Sequence, residues 1–533
     1  MKTVDGRREM SRRQFVEETV LAGGTLAGAS LLGARASSTT GPPRWDRETD
    51  VVIVGYGGAG AAAAITVSEE KTAAIILEKA AEPGGNTAVS SGGVMLPSDA
   101  AKIAQFLEAT GLGSVTGEAA RVFGETWVGL EDWFSRHGAR FTVARNPGRW
   151  SGVFPGAEAL DKQLTMNRPD KWNGVGRDLF AFLAGVVQKR AGIEVMLETP
   201  AHRLLQDHET RAILGVKARK GAHELNIRAK KAVILALGGF EANREMMATY
   251  VEEAPVPIAV GGTPCNTGDG IRMVMDVGAD LWHMNGIEWA REGFKPPGLP
   301  AAFWLEPKAQ AWINVNRQGQ RFRNESDSYG HAKKHLEVFQ FDARAGRWPN
   351  DPWYMVFDEK TRMAGPIIMV HRSAGQAPFA TYNLARELHT WSDDNSVEIQ
   401  KGWIHRGATI QELAGRIACD PAGLVQTVTR FNTFCRKRVD EDFGRSARGL
   451  AAIDQPPYYA VECVVNTINT QGGPRRNHRS QVLDPYGAVI PRLYAVGEFG
   501  SLFGFLYPGG CNLPECVVSG ILAGRSAAAE KPV

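Results

Sequence analysis

Asp50-Val51-Val52-Ile53-Val54 runs without interruption into Gly55-Tyr56-Gly57-Gly58-Ala59-Gly60. The β-branched run reads as a buried parallel strand. The glycines after it have the spacing G-x-G-x-x-G and open a helix of small residues, Ala61 to Ile65. A second apolar strand, Ala73 to Leu77, ends on Glu78 and Lys79. In this setting Gly55 allows the tight turn, Gly57 lets the backbone approach a pyrophosphate, and Gly60 lets helix and strand pack closely. The N–H groups of the helix start, at Gly58, Ala59 and Gly60, face phosphates. Glu78 stands where a carboxylate accepts hydrogen bonds from an adenosine ribose. The segment predicts a Rossmann-like α/β domain that binds a dinucleotide.

Composition narrows the rest. Glycine accounts for 60 of 533 residues, about 11% against a usual share of roughly 7%. The hydrophobic fraction of 43% supplies ample core, so a disordered chain is excluded. No three-residue glycine period exists, which excludes collagen. A net charge of +3 is no nucleic-acid footprint. The six cysteines, Cys265, Cys419, Cys435, Cys463, Cys511 and Cys516, form no C-x-x-C pair. No metal site is expected, and the thiols read as buried core residues. The length fits two or three domains, or one large α/β domain with an insertion.

The N-terminus carries Ser11-Arg12-Arg13-Gln14-Phe15, a weakly apolar stretch from Thr19 to Leu32, and Ala34-Arg35-Ala36. A paired arginine before a short h-region and an A-x-A site reads as a twin-arginine signal over residues 1–36, hence a periplasmic location. Glu17 and Glu18 are unusual for a signal. The bland alternative is a tail with a chance Arg-Arg on a cytoplasmic protein. No later apolar run is long enough for a transmembrane helix.

After the second strand come Gly84-Gly85-Asn86-Thr87 and Ser90-Ser91-Gly92-Gly93, a loop of small residues suited to a flat ring system. Further along lie Glu198-Thr199-Pro200-Ala201, Gly238-Gly239-Phe240 after an apolar strand, Gly268-Asp269-Gly270 opening a helix, and Leu493-Tyr494-Ala495-Val496-Gly497-Glu498. Gly509-Gly510-Cys511-Asn512-Leu513 starts a last helix. With these motifs in this order, residues 48–530 resemble the FAD-dependent fumarate reductase and succinate dehydrogenase flavoprotein superfamily, which includes the 3-ketosteroid dehydrogenases. The resemblance implies FAD as cofactor. Gly85, Asn86, Thr87, Ser91, Gly92 and Gly93 would lie in the flavin loop, Ala201 on the adenine side, and Gly238 and Gly239 at a close backbone approach. Asp269 opens its helix, Glu498 matches the ribitol contact, and Asn512 and Leu513 begin the helix aimed at the flavin. That helix start would favour reduced anionic flavin. Succinate dehydrogenases have a covalently linked His where this chain has Asn86, so the FAD should be non-covalent.

The resemblance also implies a split architecture: a Rossmann-like FAD-binding domain at 46–278 and 449–533, interrupted at 279–448 by an α+β catalytic or cap domain. The insertion carries Trp282, Trp289, Trp304, Trp312, Trp348, Trp353, Trp391 and Trp403. They read either as an ordinary aromatic core or as the wall of a pocket for a flat apolar substrate.

Arg321-Phe322-Arg323-Asn324-Glu325 matches a superfamily strand and turn. Four residues past that Glu, fumarate reductases have a proton-delivering arginine; here stands Tyr329. The second arginine, before Gly-Gly, is Tyr507. The carboxylate-binding histidine is Asn469, and the His-Pro-Thr site reads Asn285-Gly286-Ile287-Glu288-Trp289. Without those cations a dicarboxylate is a poor substrate. The 3-ketosteroid dehydrogenases have tyrosine at both matching positions. By that resemblance Tyr507 donates to a substrate carbonyl, assisted by a backbone N–H of the following turn at Cys511, as in an oxyanion hole. Tyr329 takes the neighbouring proton and a hydride passes to flavin N5. The family has glycine where this chain has Cys511. Both tyrosines as mere wall residues is the bland alternative.

Three functions stay open: a ketone desaturase with a 3-ketosteroid-like apolar substrate, the same site run backwards as an enone reductase, and an electron-transfer subunit. The electron partner would be a quinone or a cytochrome.

Overall fold

The computed structural model describes residues 44–145, 154–167, 176–252, 258–289, 292–299, 302–326, 335–369, 389–504, 507 and 509–533. The leader reading at 1–36 and Tyr329 lie outside the described residues.

The β-branched run forms β1 (Arg47–Val54), its last four residues buried. α1 (Gly58–Glu69) follows directly and leads to β2 (Ala74–Leu77). The central sheet is completed by β3 (Ile193–Met196), β4 (Ala201–Gln206), β5 (Ile213–Lys220), β6 (His223–Leu235), β7 (Gln481–Leu483) and β8 (Val489–Ala495). Its order is β7-β8-β6-β1-β2-β3, and β5 joins β4 to β6. β1 pairs in parallel with β2 and β6, β2 with β3, and β6 with β8. The C-terminal strand thus returns to the sheet begun by the N-terminal one. The α/β reading and its split sheet hold.

α1 is buried on all sides from Gly58 to Val67, which its run of Ala and Gly permits. It packs against the last helix, α3 (Asn512–Ala528); α2 is Asp269–Asp276. The helices meet at glycines: a Cβ at Gly520 would stand 2.8 Å from Ala59 O, and one at Gly524 2.7 Å from Thr66 Cβ.

A second, antiparallel sheet joins Trp312–Asn316, Trp353–Asp358, Tyr458–Cys463 and His405–Gly407. Tyr458–Cys463, which lies past the expected boundary at 448, is paired into this sheet. The next strand, Val465–Thr470, pairs with Ile258–Val260 and with Ile287–Trp289. Most of the tryptophans pack as core: Trp391 lies against Phe303 (5.1 Å between ring centres), Trp403 against Phe294 (5.8 Å), and Trp353 is buried on its strand.

Candidate active site

The turn after β1 has the shape its glycines foretell. Gly55 has φ +101°, and a Cβ there would come 2.2 Å from Ala236 O. Gly60 lies under the turn, where a Cβ would stand 2.1 Å from Gly55 O, so it serves packing. Gly57 and Gly85 differ. A Cβ at either would meet nothing nearer than 3.6 Å and 3.9 Å respectively. Both glycines border a cavity, and they keep it clear.

That cavity is walled by Gly55, Gly57, Gly58, Ala59, Glu78, Lys79, Gly85, Asn86, Thr87, Ser91, Gly93, Ala201, Gly238, Asp269, Glu498, Asn512 and Leu513. Tyr507, Met95, Trp289, Trp304 and Met369 belong to the same wall. Gly60, Gly92, Gly239 and Cys511 are not in the wall. At Gly239 a Cβ would meet Thr470 Oγ1 at 2.2 Å and Glu241 Oε2 at 2.5 Å, so that glycine admits Thr470 and Glu241 to their places.

Glu78 is buried, its oxygens accepting from the N–H of Tyr56 (2.9 Å) and of Ala80 (2.8 Å). Backbone donors thus aim the carboxylate. Lys79 Nζ is bonded to Asp269 Oδ2 (2.6 Å) and Thr267 Oγ1 (2.7 Å), tying β2 to the start of α2. Thr87 Oγ1 accepts from Gly58 N at 3.1 Å, fixing the flavin loop to the start of α1.

The Asn86 amide is fully engaged. Its Oδ1 accepts from Thr263 N (2.7 Å), and its Nδ2 donates to Glu241 Oε1 and Glu498 Oε1, each 3.0 Å away. Asn469 donates through Nδ2 to Glu498 Oε2. Burial pushes both Glu241 and Glu498 up from their ordinary value of 4.5, and for Glu498 the neighbouring Glu241 adds to the rise.

The Tyr507 hydroxyl oxygen accepts from Cys511 N (3.0 Å) and Asn512 N (3.1 Å), at the start of the 17-residue α3. The N–H of Cys511, expected at an oxyanion hole, donates here to Tyr507's own oxygen, and the Cys511 thiol is buried. Burial raises Tyr507 well above its ordinary 10, and the nearby Glu288 carboxylate adds to this. Burial likewise raises Cys511, which keeps its thiol protonated.

Polar wall residues that escaped sequence reading include Glu288, Asn266 and Gln163. Glu288 is buried on the strand Ile287–Trp289 and accepts from Asn512 Nδ2 at 2.9 Å. Asn266 bonds Glu241 and Glu498. Gln163 reaches the cavity from the strand Lys162–Met166. Glu241, just behind the wall, follows directly on Gly238-Gly239-Phe240. A carboxylate in a buried apolar context was the available signal for it and for Glu288.

The protein side fits a flavin dinucleotide. Gly57 and Gly85 form a cradle that a side chain would fill, the N-cap of α1 is Gly57, which has no side chain to cap it, and among the described residues Asn512 Oδ1 is a buried acceptor without a protein partner. Among the described residues no group of three His, Cys, Asp or Glu could hold a metal ion, and no helix is long and apolar enough to cross a membrane.

This fold and cavity define a flavin-dinucleotide-binding protein. The chain belongs to the FAD binding domain family, whose model matches residues 50–513, and FAD is its cofactor. It is 32% identical over 376 residues to the 3-oxosteroid 1-dehydrogenase of Mycobacterium tuberculosis, a match covering 66% of this chain and 62% of that protein. The match thus spans less than two thirds of that relative. It is 28% identical to the digoxin reductase of Eggerthella lenta, with 98% of each covered. A solved 3-ketosteroid delta1-dehydrogenase from Sterolibacterium denitrificans superposes with a TM-score of 0.76 at 23% identity, covering 91% of this chain and 100% of that one. The likeness seen in the motifs is thereby met.

Proposed function

We propose that this chain is an FAD-dependent oxidoreductase of CH–CH bonds that desaturates a ketone between its α and β carbons, with a flat, apolar, 3-ketosteroid-like substrate. The observation that carries this is the Tyr507 hydroxyl, held at the start of α3 by two backbone N–H groups, in a cavity wall that also includes Trp289 and Trp304. Two N–H bonds to the phenol oxygen polarise its O–H as a donor, while burial keeps it protonated. It is a neutral acid suited to a carbonyl oxygen, and its bond to that oxygen strengthens as enolate character grows. The α-proton passes to a base, the role given to Tyr329. Bound FAD supplies the acceptor for the β-hydride. Asn86 holds its loop without a covalent link, because an amide occupied by Glu241, Glu498 and Thr263 is no nucleophile.

Carboxylate substrates are disfavoured. The one cation among the described wall residues is Lys79, which Asp269 neutralises. Glu288 and Glu498 add carboxyl groups, not cations, to that wall.

A second reading, reduction of an enone by the same site, draws on the end-to-end match with a protein named as a reductase. The tests are anaerobic. Flavin bleaching on adding a saturated 3-ketosteroid supports desaturation. No bleaching, with reoxidation of dithionite-reduced protein by an enone, supports the reductase. Inertness to both leaves an electron-transfer subunit. The electron partner in this proposal is a quinone or a cytochrome, met after export through the Arg12-Arg13 leader.

A further inference from the structure

Behind the cavity wall lies an arrangement that substrate chemistry does not use. Asn86 Nδ2 donates one hydrogen to Glu241 Oε1 and the other to Glu498 Oε1, both at 3.0 Å. Asn266 Nδ2 does the same to the same two oxygens, both at 2.8 Å. The four atoms close a ring of alternating amide nitrogens and carboxyl oxygens. The two Oε1 atoms are therefore no more than about 5.6 Å apart, 2.8 Å from each to the shared nitrogen. The bond from Thr263 N to Asn86 Oδ1 fixes which end of that amide faces the ring. The outer oxygens are also held: Glu241 Oε2 by the N–H and hydroxyl of Thr470, Glu498 Oε2 by Asn469.

Every one of these donors is neutral. The charged and titratable groups packed around the pair change little. Arg476, near Gly497, bonds Glu515 at 2.5 Å and the carbonyls of Ala495 and Gly497. The Cys516 thiol, on α3 and half-buried, is raised by desolvation first and then by Glu498 and Glu515, so it stays neutral. Two buried carboxylates with neutral donors alone do not both ionise easily: their repulsion and lost hydration act together. Such a pair titrates as a unit. Burial is nearly complete, with Glu241 2% and Glu498 8% exposed. Glu498 also borders the cavity that takes the cofactor.

We propose that Glu241 and Glu498 form a shared proton site, holding one proton between them, whose proton affinity rises when negative charge is added in the adjoining cavity. The pair then takes a proton from solvent as the cofactor is reduced and returns it on reoxidation. No further oxidant or reductant is needed, since the electrons are those of the cofactor and the proton exchanges with water. The proposal rests on FAD occupying the cavity and not on which substrate is used.

The experiment is a reductive titration of the holoprotein, without substrate, following the flavin midpoint potential against pH. Wild type is expected to show an added pH-dependent segment near neutrality, and Glu241→Gln to lose it. Redox-difference infrared spectra of wild type should show a deuterium-sensitive carbonyl band of a protonated carboxyl that changes on reduction. If Glu241→Gln fails to keep FAD, the infrared result decides alone. Absence of any protonated-carboxyl band in wild type overturns the proposal, as does a potential-against-pH curve identical in the two proteins.

Discussion

The hydroxyl oxygen of Tyr507 lies 3.0 Å from the backbone nitrogen of Cys511, which donates to it. The phenol oxygen of Tyr507 is thus bonded by backbone N–H groups four and five positions further along the chain. The phenol is set at the positive end of α3 by main-chain atoms, whose placement does not depend on the side chain at 511.

Tyr507→Phe removes the donor and leaves the turn's N–H groups without that acceptor. Turnover is expected to fall by about 10²–10³-fold, the loss typical of a single donor to a developing oxyanion, while the bound-flavin spectrum persists. Cys511→Ala keeps the N–H and should retain most activity. Steady-state kinetics of both variants check this, and a dead Cys511→Ala with bound FAD would give the thiol a role.

Glycine substitutions separate cofactor binding from packing. Gly57→Val places its side chain in the cavity and should yield folded protein without FAD, measured by flavin-to-protein absorbance. Gly520→Val drives a side chain into Ala59 O. Overpacking of that kind costs about 1–3 kcal/mol, and the expected result is a lower melting temperature.

Tyr329→Phe should abolish turnover of any ketone substrate with the FAD spectrum intact. A variant keeping most activity removes Tyr329 from the chemistry.

Stability should depend on the Glu241–Glu498 pair in a definite direction. Burial raises both carboxyls above 4.5 in the folded protein, so the folded state binds protons more tightly than the unfolded one. Their contribution is fully present below the unfolded value and is lost as pH rises through the folded values. Thermal melts between about pH 5 and about pH 8 should show declining stability. The decline should flatten in Glu241→Gln.

Export is checked by fractionation. The expected mature chain begins after Ala36, and replacing Arg12 and Arg13 by lysine should leave the precursor in the cytoplasm.

Much of this molecule was legible in the chain because short-range rules governed it. The strand Asp50–Val54, the glycine turn and Glu78 lie within thirty residues of one another, and each is dictated by local backbone geometry. Lys79 and Asp269 were legible as separate motif residues, yet their ion pair joins positions 190 apart. Glu241 stood one residue past a motif that was read, but its role was not legible there, because its partners come from positions 86, 266, 470 and 498. The tryptophans were ambiguous for the same reason: composition gives their number, and only packing divides core, at Trp391 and Trp403, from wall, at Trp289 and Trp304.

By itself, the sequence determined the dinucleotide turn and the family, since turns, strand periods and motif spacing are local properties of the chain. Tertiary structure alone decided that the Cys511 N–H serves Tyr507, that Glu288 faces the cavity, and that two distant carboxyls meet around two amides. Hydrogen-bond partners and burial arise from contacts between remote segments, and no spacing along the chain encodes them.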